Sequence, residues 1–162
     1  MRGETDPRRD MLRHTIATLA YRGGKAVRDA PPEFASFKPG QQSRTASQIL
    51  AHIGDLLDWA LRMASDTPRW VDTKPLPWQA EIERFFASLS ALDVFLASDA
   101  EPKCQLEKVF QGPIADALTH VGQIAMMRRL AGCPMRGENY LVADVTVGRV
   151  GSDQADPRRE FD

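Results

Sequence analysis

Residues 45–61 read TASQILAHIGDLLDWAL, and the spacing of their apolar side chains decides how the rest of the chain is understood. Ile49, Ile53, Leu56, Leu57, Ala60, Leu61 and, just beyond, Ala64 recur every three or four positions, the period of one helix face. Thr45 or Ser43 offers a hydroxyl to the first free backbone N–H groups, and Asp66-Thr67-Pro68 ends the run. The spacing predicts an amphipathic helix with one buried stripe, which needs other elements to pack against.

Three further segments share the period. Met11, Leu12, Ile16, Leu19, Ala20 and Val27 predict a first helix over about 8–29, closed by Ala30-Pro31-Pro32. Gly23 and Gly24 weaken it by roughly 1 kcal/mol each relative to Ala. Ile82, Phe85, Phe86, Leu89, Leu92, Phe95 and Leu96 predict a third helix from Pro77 or Trp78 to about Ala97. The segment before it, RWVDTKPLPW (69–78), with two prolines and two tryptophans, suits a loop packed over the end of a bundle. Leu106, Val109 and Phe110 suggest a short helical turn. Pro113 then opens a fourth helix carrying Ile114, Ala117, Leu118, Val121, Ile124, Ala125 and Leu130, which Gly132 and Pro134 end. Val142 to Val147 is a β-branched run compatible with an extended arm or a small strand. The expected fold class is all-α: an antiparallel four-helix bundle with short connecting loops and an irregular C-terminal arm. It forms one domain over 1–162, with 1–9 and 150–162 expected to be disordered.

A chain of 162 residues is long enough for one sizeable core without disulfides. Its formal charge of −1, from 21 Lys and Arg against 22 Asp and Glu, lacks the basic footprint of a nucleic-acid or anionic-membrane binder. Charges interrupt every apolar stretch well before the length needed to cross a bilayer. The start, MRGETDPRRD, has no signal-type apolar segment, and Cys104 and Cys133 form no CxxC pair, so a cytoplasmic location is expected. Both cysteines read as ordinary thiols, although Arg128, Arg129 and Arg136 lie near Cys133 in sequence. Arg128 and Arg129 themselves suit the negative end of the fourth helix dipole.

Polar residues beside the apolar stripes carry the functional question. At 100° per residue, Asp116, His120, Gln123 and Met127 lie on one flank of the fourth helix, and His52, Asp55 and Trp59 on a flank of the second. Two flanking stripes from neighbouring helices can line one cleft. His52, Asp116 and His120 would then offer two imidazoles and a carboxylate to a divalent metal, with positions left for water or substrate. Zn²⁺, Ni²⁺ and Fe²⁺ all accept such a set. The competing reading is plainer: Asp116 accepts a hydrogen bond from the His120 ring and no metal is involved. His14, among Met11, Arg13 and Thr15, has no motif and reads as an exposed polar residue.

TASQILAHIGDLLDWAL together with FQGPIADALTHVGQIAMMRRLAGCPMRGENY (110–140) resembles the DinB-like family of four-helix-bundle proteins. The likeness spans about residues 10–140. It implies that His52 on the second helix and His120, within an H-x-G-Q motif completed by Gly122 and Gln123, bind a divalent metal. The position four before the motif histidine is commonly histidine in that family and is Asp116 here. A carboxylate there keeps three ligands, lowers the site charge by one and favours harder ions.

The resemblance implies a metal-dependent enzyme, a thiol-using transferase or isomerase or a hydrolase-like enzyme, in which the metal activates a bound thiol or water against a small-molecule substrate. The alternative is a non-catalytic helical bundle with a vestigial site. A homodimer is expected, with a second copy covering an apolar face from the Phe-rich third helix or the Trp70 and Trp78 loop. A non-haem iron oxygenase would use a similar ligand set, although a helical bundle is not its usual frame.

Overall fold

The computed structural model describes residues 6–161, a mostly helical chain with a single two-stranded sheet. Helix α1 spans Pro7–Val27, α2 Ala46–Ser65 and α3 Trp78–Ala97. A fourth rod is continuous from α4 (Leu106–Val109) through a π-helical turn (Phe110–Ile114) into α5 (Ala115–Leu130). Short 3₁₀ turns occur at Pro32–Ser36 and Tyr140–Val142.

Each start has a local cause. Asp6 caps α1 by accepting from the Arg8 N–H at 2.9 Å, and Pro7 sits at the first turn, where its missing donor costs nothing. Thr45 and Gln48 form a reciprocal capping box at the start of α2. Pro113 does not open a helix as the sequence suggested. The π turn takes it up inside the rod: the Ala115 N–H reaches back to the Phe110 carbonyl, and the wider turn accommodates a ring that would clash in a regular α-helix.

The glycines of α1 are explained by packing. A Cβ on Gly23 would lie 2.5 Å from Phe85 Cζ, and one on Gly24 3.3 Å from Phe86 Cζ. Both glycines let the α3 aromatics reach the backbone of α1, so the expected loss of helix propensity is exchanged for close packing. One contiguous core results, including Ile16, Leu19, Ile53, Leu57, Phe85, Leu89, Leu92, Ile114 and Ile124, all nearly inaccessible.

Residue pairs fix the helix directions. Arg13 bonds Asp93 at 2.8 Å while Gly23 abuts Phe85, so α1 and α3 run in opposite senses. Asp55 meets Arg84 at 2.9 Å and Asp58 meets Ser88 at 2.9 Å, so α2 and α3 run in the same sense. The expectation of uniformly antiparallel neighbours with short loops therefore needs correction. A chain leaving α2 must travel back along a helix of 20 residues, roughly 30 Å, before α3 can begin beside it. Residues 66–77 make that return without regular structure, as a segment that can extend to about 40 Å. This crossover runs along the bundle rather than capping its end.

The C-terminal segment also departs from expectation. Its strand is not at Val142–Val147; β1 (Gly137–Glu138) pairs antiparallel with β2 (Glu160–Phe161). Lys25 Nζ bridges Glu138 and Glu160 at 2.7 Å each, Tyr21 donates to Glu138 at 2.6 Å, and Val150 is buried. These charged partners, distant in sequence, hold a stretch whose own composition suggested disorder over 150–162. They also push the Tyr21 hydroxyl well above the ordinary tyrosine range, burial first and the Glu138 carboxylate second. Asp162 and residues 1–5 of the segment expected to fray lie outside the described residues, and Pro7–Arg9 are helical. Arg128 does more than complement a dipole: it is buried and donates to the carbonyls of Cys133, Ala26 and Arg28, joining the end of α5 to the end of α1. Among the described residues, no helix is long and apolar enough to cross a membrane.

Candidate metal centre

His52 lies two turns into α2, and Asp116 and His120 follow the π turn on α5, one helical turn apart. The two helices face each other, and one ligand atom from each of the three residues falls within 4.8 Å of the others. His120 Nε2 stands 3.4 Å from one Asp116 carboxylate oxygen, and His52 Nε2 stands 3.7 Å from the other. The imidazoles meet edge to face with ring centres 4.8 Å apart.

These separations bear on both readings of the pair. Both exceed the 2.7–3.2 Å range of an N–H···O hydrogen bond and lie within the reach of an ion pair, which requires a protonated ring. Metal–ligand bonds near 2.0–2.1 Å in tetrahedral geometry put neighbouring ligand atoms roughly 3.3 Å apart, close to the observed spacing. His120 Nδ1 lies 2.7 Å from Gln123 Oε1, an arrangement in which Nδ1–H donates to the amide oxygen. With Nδ1 so engaged, Nε2 is the ring nitrogen turned toward a carboxylate oxygen. Two facing lone pairs repel unless a cation or proton sits between them.

The surroundings favour the neutral form of the His52 imidazole. Burial lowers its pKa first, and His120 and Arg44 lower it further, against the opposing pull of Asp116 and Asp55. A neutral imidazole is the form that binds metal. The His52 ring also packs edge-on against Trp70 of the crossover, at 5.5 Å between ring centres, and Trp70 in turn contacts Trp59 at 5.8 Å.

A network anchors the crossover there. Asp55 accepts from the Thr73 N–H at 2.9 Å and from Arg84 at 2.9 Å. Arg84 also bonds the inaccessible Glu81 at 3.0 Å and donates to the Ala51 carbonyl. A Cβ on Gly54 would lie 2.7 Å from Arg84 Cζ, so glycine makes room for the guanidinium. Burial works against the charge of Arg84, but hydrogen bonds to Asp55 and Glu81 outweigh it and hold the pKa above the ordinary arginine value. Asp55 therefore braces the crossover, and it shares with His52 the lining of a cavity of about 380 Å³. Sequence reasoning missed Arg84, although Glu81 and Arg84, three apart on α3, are a readable ion pair.

His52 and His120 open on a cleft of about 610 Å³ lined also by Gln123, Arg44, Ile49 and Met127, among others, with Asp116 outside its lining. Half of the Asp116 side chain is exposed, against 17% for His52 and 14% for His120. A ligand can thus approach from the Asp116 side. His14 is exposed and remote from this cleft, and Cys104 and Cys133 are free, half-buried thiols outside it, with burial raising the Cys104 pKa. In comparisons with known proteins, no family model, no curated protein and no solved structure matches the chain.

Proposed function

We propose that this is a DinB-like metal-binding protein that holds a divalent cation on His52, Asp116 and His120 and acts as a thiol-using transferase or isomerase. The observation carrying the proposal is the spacing of 3.4 and 3.7 Å between the carboxylate and two imidazole nitrogens, too long for hydrogen bonds and suited to a shared cation. Gln123 fixes the His120 tautomer, Trp70 orients His52, and the exposed side of Asp116 leaves an approach for a further ligand. When a cation is bound, the chemistry supplied is that of a Lewis acid, lowering the pKa of a coordinated thiol or water. The chain contributes a wall of Ile49 and Met127 that excludes water from one side of that position. The two imidazoles suit Zn²⁺, Ni²⁺ or Fe²⁺, and the carboxylate brings the ligand set to one negative charge and shifts preference toward the harder of them.

Metal analysis of protein purified without chelator or nickel resin tests this reading. One equivalent of a divalent metal is expected, lost in His52→Ala and His120→Ala. Metal-free protein that also fails to take up added Zn²⁺, Ni²⁺ or Fe²⁺ would leave the non-catalytic alternative standing. A dimer on that alternative would draw on Val94 of α3 and Trp70 of the crossover, which stay exposed, while Phe85 and Phe86 lie in the core and Trp78 packs on Phe34.

A further inference from the structure

We infer that the cleft beside the triad accepts an amphipathic monoanion, with its anionic group held by Arg44 and its apolar body lying on Ile49, Met126, Met127 and Leu130. The inference rests on the metal reading above, because the opposite end of such a ligand meets the cation at His52.

Arg44 is the one permanently charged side chain lining the 610 Å³ cleft, and it also lines a second cavity of about 380 Å³ that shares His52. It is exposed and has no hydrogen-bond or ion-pair partner among the described residues, whereas Arg13, Arg84 and Arg128 are each committed to named acceptors. Arg44 and His52 line both cavities together, so the guanidinium stands on the approach to the triad. A planar fork of five donors with no internal acceptor suits a carboxylate or another oxyanion. The body of the ligand is set by the opposite wall. Ile49 and Met127 form a buried floor, while Met126 and Leu130 are 58% and 59% exposed at the rim. Two large apolar side chains left in water beside an unpaired cation match a molecule that is greasy along its length and negative at one end. Methionine side chains adapt to varied apolar shapes, so the wall sets the class of ligand more than its detailed outline.

The test uses zinc-loaded full-length protein and three probes with a metal-chelating hydroxamate at one end. These are the monohydroxamate of suberic acid, its methyl ester, and a short acetohydroxamate that lacks both body and anion. Calorimetry at low salt is expected to give the free acid roughly three- to tenfold tighter binding than the ester. Both should bind well above acetohydroxamate, since each buried methylene is worth up to about fourfold. Arg44→Gln should bring the acid-to-ester ratio close to one without changing zinc content, as should 0.5 M salt for an exposed pair. Methyl resonances of Met126 and Met127 should shift with the two long probes and not with the short one. Equal affinity for acid and ester in the unsubstituted protein, or an unchanged ratio in Arg44→Gln, overturns this inference while the metal reading stands. Failure of the protein to hold zinc, nickel or iron overturns both.

Discussion

Arg84 is the residue whose removal tests the architecture around the centre most severely. In Arg84→Met a side chain of similar length leaves two carboxylates behind: Asp55, 3% exposed, and Glu81, fully buried. Breaking a buried charge network by deleting one partner costs about 3–5 kcal/mol, because the stranded charges lose compensation without regaining water. The Ala51 carbonyl loses a donor as well. Against a total stability of roughly 5–15 kcal/mol for a domain, this is a large fraction. Urea unfolding followed by tryptophan fluorescence should show a midpoint drop with little change in slope. Acidification should shrink the deficit: once the stranded carboxyls take up protons in the folded variant, folding binds protons that the unfolded chain does not, and stability relative to the unsubstituted protein recovers as pH falls. Asp55 also holds Thr73, so the variant should loosen Trp70 from His52 and weaken metal binding in the fraction that remains folded. A loss below 1 kcal/mol, or a deficit indifferent to pH, would refute the view that this arginine compensates two buried charges.

Three more outcomes follow from the same geometry. Gln123→Leu should lower zinc affinity by about 10–100-fold while leaving thermal stability of the metal-free protein nearly unchanged, read by competition with a chelating dye; unchanged affinity removes the amide from its orienting role. Gly23→Ala should destabilise by about 1–3 kcal/mol because Phe85 cannot withdraw, whereas Gly122→Ala, with open space at its Cβ position, should stabilise by roughly 0.5–1 kcal/mol; equal effects in denaturation would show that packing does not separate these glycines. In the metal-free protein, NMR titration should place the His52 imidazole below its ordinary value of 6.5, and a value at or above it would contradict burial as the dominant influence. The sign for stability follows: the unfolded chain takes the proton first, so this histidine's contribution is present above the unfolded value and lost as pH falls toward the folded one.

Helix existence was legible because periodicity reports burial directly. The apolar positions from Ile49 to Ala64 and the Thr45 cap define α2 almost to the residue, and the third helix was equally plain. Angle alone could place His52 on a flank of the second helix and Asp116 and His120 on a flank of the fourth; that the two flanks face each other is what the fold adds. Helix direction was not legible, because an amphipathic pattern is nearly the same read up or down. The parallel course of α2 and α3 is decided by pairs such as Asp58 with Ser88, thirty positions apart. The purpose of Gly23 was hidden for a similar reason: propensity registers the missing Cβ, while Phe85, which occupies its place, belongs to another helix. Lys25, Glu138 and Glu160 look like solvated charges in a linear reading and become an anchor only when folding brings them together.

The π turn at Phe110–Ile114 absorbs a residue for which a regular helix has no place. A turn that spends five residues holds one more than its α-helical neighbours, so the two halves of the rod stay in phase: Leu106 and Val109 keep to the core while Asp116 and His120 face His52. Excising one residue from this turn lets it close as α-helix with the centre still in place. Excising one from regular α-helix between His120 and Arg128 shifts the phase by about 100° instead, and with α5 pinned at its far end by Arg128 it carries His120 away from His52. Where along the rod a residue is lost therefore decides whether the two histidines still meet.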